Sequence, residues 1–356
     1  MIPKDEALRV VHVHLGIKGG AERFFVSLVN ALAERGVQQK ALIFPDRVWK
    51  KDIEAVCGIE EMGFSRSHIA RFFTNRRIAR INRAFRPHAM MSWMPQATRW
   101  IPNDPNILTA ARLGDYPERL DYFVNCDYLV CNTPDIARAA AGIGWDIDRT
   151  RVISNFTDVR KVEPIERAKL DTPADAYAIL GMGRFVDRKG FDTLIKAAAP
   201  LKSAVVWLVG EGPEEPMLRQ LAADLGCADR VRFLGWSTDP SPYLAAADAL
   251  CIPSRHEPLG NVVLEAWAAG KPVVATASEG PSWLIQDDVN GLLAPIDDDT
   301  AVSKAFARLI ADPTLGTRLV EAASAKLEAS HSRKAIADAY MTFLSGGREK
   351  ARNIPV

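Results

Sequence analysis

Short apolar, β-branched runs alternate with longer segments of helical period twice over in this chain, and that double alternation restricts the fold more than any other feature. In the first half "RVVHVHL" predicts a strand. "GGAERFFVSLVNALAERG" predicts a helix with Phe24, Phe25, Leu28 and Leu32 on one face and Gly36 as its stop, and "QKALIF" the returning strand. Further strands are expected at "HAMMSW", "NILTAA", "DYLVCN" and "TRVISN". Between Asp158 and Ala176 the pattern breaks, with two prolines, mixed charge and little apolar period, and the interdomain linker is expected there. Alternation then resumes with strands "AYAILGMGR", "AVVWLVG", "VRFLGW", "ALCIPS" and "PVVATA" and helices "FDTLIKAAAPL", "EEPMLRQLAADLG" and "SPYLAAA".

A chain of 356 residues exceeds what one hydrophobic core usually serves. The expectation is therefore an α/β protein of two Rossmann-like, doubly wound domains, residues 1–165 and 166–331, facing across a deep cleft. A helix at about 332–346, with Ala335, Ile336, Ala339, Tyr340 and Phe343 on one face, either finishes the second domain or crosses back onto the first. Ligands of such sheets bind outside the carboxyl ends of the strands, which makes the cleft the expected ligand site.

The composition, 48% apolar and 25% charged with a formal charge of +1, is that of an ordinary globular protein and gives no sign of a nucleic-acid partner. Charge is uneven, however. Residues 1–165 carry 24 Lys plus Arg against 19 acids, a net of +5, and the remainder carry 21 against 25, a net of −4. From Met62 to Asn103 there are eight arginines and no acid, so a surface for an anionic partner is expected there. Five cysteines without a C-x-x-C pair read as reduced thiols. The amino terminus has charges where a signal peptide needs its apolar core, and no apolar run approaches 18 residues. A cytoplasmic protein, touching a membrane at most peripherally from its inner face, is the expectation.

"PSRHEPLGNVVLEAWAAGKPVVA" sets Glu257 and Glu265 on either side of a helix start near Gly260 or Asn261, with Gly270 as the stop. Free amides at such a start receive an anion, and a carboxylate one turn inside suits a ribose diol. The plain alternative is a strand, a turn and a buried helix. In "GMGRFVDRKGFDTLI" the glycines Gly181 and Gly183 permit a tight turn, and Arg184 and Lys189 stand across a loop ending at Gly190. Two cations beyond a strand end suit a diphosphate leaving group, against the alternative of a solvated loop with an Asp187–Arg188 pair. The acids Asp297 to Asp299 read as the cap of a helix starting near Thr300.

Together these stretches carry a resemblance. "GRFVDRKG", "HEPLGNVVLEAWAAGKPVVAT" and "NGLL", with "GIKGGAERF" in place of "PGGAER" and "RVISNFTD" in place of "IPNGVD", resemble the retaining glycosyltransferase family 4 of GT-B fold, whose mark is E-x7-E. The resemblance runs over nearly the whole chain and extends to bacterial lipopolysaccharide and surface-polysaccharide enzymes. It implies a UDP- or GDP-sugar donor, a glycan or glycolipid acceptor, and neither cofactor nor metal. It also implies that Arg184 and Lys189 bind the donor diphosphate, Glu265 the ribose and Glu257 the transferred sugar. Gly260 and Asn261 would offer backbone donors, and Gly19 and Gly20 a first-domain loop over the donor.

The chain departs from the family where a histidine usually ends a first-domain strand. It has "TAARLGDYPERL" there, with Arg112, Asp115 or Tyr116 as occupants of that space, while His12 and His14 alternate along the first strand. If residues 74–85 are helical, Ile78, Ile81 and Phe85 face one way and Arg76, Arg80 and Arg83 the other. That arginine face is either solvated or a surface for anionic lipid or a phosphorylated acceptor. A nucleotide-sugar epimerase or hydrolase and a non-catalytic nucleotide-sugar binding protein are the rival functions. A dinucleotide dehydrogenase is disfavoured, because Gly16, Gly19 and Gly20 do not form G-x-G-x-x-G.

Overall fold

The computed structural model describes residues 6–17, 19–65, 67–158 and 161–346. Arg66 of the basic segment and positions 159 and 160 of the expected linker lie outside the described residues. The chain forms two compact units: one reaches Phe156 and takes up again from Arg333, and the other runs from Thr157 to Ser332.

The first unit is a parallel sheet of β1 (Arg9–His14), β2 (Gln38–Ile43), β3 (Gly58–Glu61), β4 (Ala89–Ser92), β5 (Leu108–Leu113), β6 (Tyr128–Cys131) and β7 (Thr150–Val152), in the order β3-β2-β1-β4-β5-β6-β7. Successive residues of β1 serve opposite faces: Val11 and Val13 enter one core cluster and Val10 the other. The expected helix is found as Gly20–Ala33. One strand, β3, has no alternating apolar signal in "GIEE"; it is an edge strand held by β2, and its Glu60 pairs with Lys40 and Arg77.

The helix Arg333–Ser345 belongs to this unit, so of the two placements open in the sequence it takes the crossing one. Ile336, Tyr340 and Phe343 are buried in the core, with Phe343 edge-on to Tyr128 at 5.6 Å. Ion pairs Arg35–Asp338 (2.9 Å) and Arg333–Glu34 (2.7 Å) fix its outer side.

The second unit is also all parallel: β8 (Tyr177–Met182), β9 (Ala204–Val209), β10 (Val231–Phe233), β11 (Ala249–Ile252), β12 (Val273–Thr276) and β13 (Leu292–Ala294), in the order β10-β9-β8-β11-β12-β13. Two apolar clusters, one on each face, bury β8, β9, β11 and β12 on both sides, which is why these strands read as continuous apolar runs. The segment leading into β8 is already part of this unit, where the Ile165 amide donates to the Pro242 carbonyl (3.1 Å). Asp298 caps the helix Asp299–Ala311 by accepting from the Ala301 amide at 2.8 Å, the role expected of that acidic run. All five cysteines are buried and unpaired, and burial pushes the thiols of Cys57, Cys126 and Cys131 up to about 12.

Candidate active site

Both sheets reverse their winding once, between β1 and β4 in the first unit and between β8 and β11 in the second. Such reversals open a crevice beyond the strand ends because the flanking connections diverge to opposite faces. The expected site residues of the second unit lie on the loops that follow β8 and β11, the two strands beside its reversal, and in the helix that begins at Asn261.

These loops are locked together by backbone contact. Gly190 has φ +63°, and a Cβ there would lie 2.0 Å from the Pro253 carbonyl oxygen, so only glycine lets the two chains approach. The Arg188 carbonyl accepts from the amides of Arg255 (2.9 Å) and His256 (3.2 Å). Arg255 then binds Asp192 (2.9 Å) and Asp297 (2.7 Å) and reaches Asp187 (3.3 Å), so the acid of the alternative Asp187–Arg188 pair is engaged by Arg255. Burial pushes the Asp192 carboxyl up, and the hydrogen bonds from Arg255 and Lys196 outweigh it and hold the carboxyl below its ordinary value.

On this brace Lys189 and Glu257 form a direct ion pair, with the Ser254 hydroxyl 3.5 Å from the same carboxylate. Both side chains are largely withdrawn from solvent. Lys189 also runs past Gly183, whose Cβ position is 3.9 Å from its Cε. Arg184, by contrast, is exposed and makes no side-chain hydrogen bond or ion pair among the described residues.

The helix of the E-x7-E stretch is Asn261–Ala268. Gly260, its N-cap residue, takes φ +81°, which a side chain would strain. The helix ends with the amides of Gly270 and Lys271 returning to Trp267 (3.1 Å) and Ala266 (2.9 Å), the pair of bonds that a C′ glycine permits. Glu265 lies in the second turn, partly buried.

Glu279 carries no expectation from sequence, yet it organises this loop. Its carboxylate accepts from the Glu257 amide (3.0 Å) and meets His256 Nδ1 (2.9 Å), and the next amide, Gly280, donates to the Glu257 carbonyl (2.8 Å). Burial raises the Glu279 carboxyl, but bonds from its own amide, from His256 and from the Glu257 amide hold it below its ordinary value. The sequence signal for it is weak, since an acid at a helix start is commonplace.

In the first unit Gly19 and Gly20 stand at the start of the helix Gly20–Ala33, beyond β1. Their loop is filled by a carboxylate of the chain itself: a Cβ on Gly16 would lie 1.8 Å from Glu22 Oε1, and one on Gly19 would lie 2.9 Å from Glu22 Oε2. Behind it, His14 Nδ1 accepts from the Gly16 amide (3.1 Å), and His12 binds Gln39 (3.1 Å) and Trp93 Nε1 (3.2 Å). Burial drives His12 down to about 4 and His14 down to about 3, so both are neutral.

Of the three residues considered for the place of the missing histidine, Arg112 is the one buried at the end of β5; Asp115 is exposed and Tyr116 turns its hydroxyl to Asp135. The Arg112 guanidinium lies over Phe24 (4.6 Å) and Trp93 (5.6 Å) and binds Asn155 Oδ1.

Residues 162–326 match the family described as glycosyl transferases group 1. The chain is 49% identical to the lipopolysaccharide core biosynthesis glycosyltransferase LpsE of Rhizobium meliloti (strain 1021), over 95% of this chain and 99% of that one. It is 47% identical to LpsD of the same organism, over 96% and 100%. In fold it is similar to Anabaena Alr3699/HepE in complex with UDP, with a TM-score of 0.81 and 23% identity over 95% of this chain and 100% of that one. The two Rossmann-like units are thus those of a GT-B enzyme, and the chain belongs to the group 1 glycosyltransferases.

Proposed function

We propose that this glycosyltransferase moves a sugar from a nucleoside diphosphate sugar to a glycan or glycolipid of the lipopolysaccharide core, with retention at the anomeric carbon. The two Rhizobium relatives, named for core biosynthesis and similar over almost their whole length, support the acceptor class. HepE, a structural neighbour crystallised with UDP and with UDP-glucose, makes a uridine donor the first to test, with GDP-sugars as the alternative.

The observation that carries the reading is the ion pair Lys189–Glu257, held by glycine-tight loops beside the helix Asn261–Ala268. In the proposed reaction Arg184 and Lys189 take the charge that grows on the departing diphosphate, and the backbone at Gly260 and Asn261 adds to it. Glu265 binds the ribose hydroxyls. Glu257 positions Lys189 in the empty enzyme and accepts from hydroxyls of the sugar once the diphosphate has claimed the lysine. Gly19 and Gly20 belong to a loop over the donor, and Arg112 holds the space of the family's histidine. The acceptor hydroxyl attacks from the face the diphosphate leaves, and a leaving phosphate oxygen takes its proton.

Incubation with a panel of UDP-, GDP- and ADP-sugars, with and without truncated lipopolysaccharide core, tests this. The expected result is transfer that requires acceptor and preserves the donor's anomeric configuration. Donor loss without acceptor would support a hydrolase or epimerase instead. Transfer should persist in excess EDTA, since Lys and Arg carry the role of a divalent ion; loss restored by Mg²⁺ or Mn²⁺ would contradict that.

A further inference from the structure

The helix expected over residues 74–85 begins earlier, at His68, and the added turns change what its outer face presents. Thr74, Ile78 and Ile81 are buried against the first unit. On the opposite side, at helical spacing, come Ile69, Phe72, Phe73, Arg76, Arg80 and Arg83. Ile69, Phe72 and Phe73 are 74%, 54% and 64% exposed, three large apolar side chains within two turns and without cover. A cluster of this kind marks a contact surface, whereas single exposed apolar residues are ordinary.

The charges beside the cluster say what kind of contact. Arg71, Arg76, Arg80 and Arg83 are all exposed and have no ion pair among the described residues, while Arg77 alone is neutralised, by Glu60 at 3.1 Å. The Arg76 guanidinium lies over the Phe72 ring at 5.2 Å, so apolar and cationic groups are interleaved. No acid occurs between Met62 and Asn103 to repel an anion. The apolar residues occupy the amino-terminal end of the helix and the arginines run on for about 10 Å beyond it, at 1.5 Å per residue. A protein partner would need a matching acidic groove around an apolar pocket; an anionic bilayer supplies an apolar interior under a layer of phosphate everywhere. Among the described residues no helix is long and apolar enough to cross a membrane, so this contact is an interfacial one.

We infer that the helix His68–Phe85 docks the chain on a bilayer of anionic phospholipid, inserting Ile69, Phe72 and Phe73 while Arg76, Arg80 and Arg83 bind headgroup phosphates. The inference stands apart from the transferase reading, because binding is measured without donor or acceptor.

Co-sedimentation of the full chain with vesicles that are about one-third phosphatidylglycerol in phosphatidylcholine tests it, with pure phosphatidylcholine as the comparison. Binding is expected to the anionic vesicles and to fall at least about tenfold on pure phosphatidylcholine and in high salt. Two double variants, Phe72→Ser with Phe73→Ser and Arg76→Glu with Arg80→Glu, should each lose at least about tenfold in binding, and neither removes a buried contact. Met217→Ser, an exposed apolar residue of the second unit, should bind as the parent does. No binding by the parent chain, or equal binding by parent and both double variants, overturns the inference. So does a self-association that the phenylalanine variant abolishes while vesicle binding persists, since the cluster would then be a protein contact.

Discussion

The two winding reversals of this molecule are built from opposite materials. In the second unit, charge braces charge, Lys189 on Glu257 and Arg255 on Asp192 and Asp297, and the Glu279 carboxylate meets the His256 ring. In the first, neutral histidines sit among Phe25, Trp49 and Trp93, and the glycine loop closes on Glu22. The first arrangement stores electrostatic groups ready for an anion, at the cost of holding them partly desolvated. The second stores shape. On the function proposed above, the donor diphosphate binds to the charged loops of the second unit.

The largest expected effects fall on the charged side of that comparison. Lys189→Ala and Arg184→Ala should each lower kcat by about 10²-fold or more, roughly 3 kcal/mol. They should differ in stability, because Lys189→Ala strands the withdrawn Glu257 carboxylate whereas exposed Arg184 has no partner to strand. Steady-state kinetics beside thermal unfolding reads both, and normal turnover in a folded variant removes that residue from the reaction.

Next in size is a pair of glycine substitutions. Gly190 and Gly36 both have positive φ, +63° and +79°, but a Cβ at Gly190 meets the Pro253 carbonyl while one at Gly36 meets nothing within 4 Å. Gly36→Ala should cost about 1 kcal/mol of stability, the backbone strain alone. Gly190→Ala should cost at least about 2 kcal/mol and reduce turnover as well, since the loops bearing Lys189 and Glu257 must part. Equal costs in chemical denaturation would mean that the loop contact is not tight.

The smallest effect belongs to the histidines. Their folded pKa values, about 4 and about 3, lie below the unfolded value near 6.5, so the unfolded chain binds protons that the folded chain refuses. Stability is therefore whole above the unfolded pKa and declines as pH falls toward the folded values, by about 0.4 kcal/mol per histidine at pH 6.5 and more below it. Unfolding midpoints measured from pH 7.5 downward check this, and an unchanged midpoint in the first unit would show that the histidines are not buried neutral.

Sequence made much of this visible, and the exceptions have physical causes. Central strands such as β1, β8 and β11 carry predominantly apolar runs because both faces are covered, and Gly36, Gly260 and Gly270 mark helix ends by the backbone they require. The edge strands β3 and β13, of four and three residues, are too short to show a period. The start of the helix at His68 was hidden because Phe72 and Phe73 point outward and break the amphipathic pattern. The motifs located Lys189 and Glu257 but not their pairing, which joins residues 68 apart in the chain. Glu279 was not legible at all, since its role rests on His256 and Glu257, 23 and 22 residues away.

The central claim is a division of labour between two glutamates, Glu265 on the nucleotide and Glu257 on the sugar and Lys189. Calorimetric titration with bare UDP or GDP, whichever the parent chain binds, separates them most directly. Glu265→Gln should weaken bare nucleotide by about 1.5 to 3 kcal/mol, because charge-strengthened bonds to the ribose are lost. Glu257→Gln should leave bare nucleotide as tight as in the parent or tighter, since Lys189 is released from its ion pair for the diphosphate, while turnover of the nucleotide sugar is lost. Equal weakening of bare nucleotide in both variants, or none in either, would contradict the account.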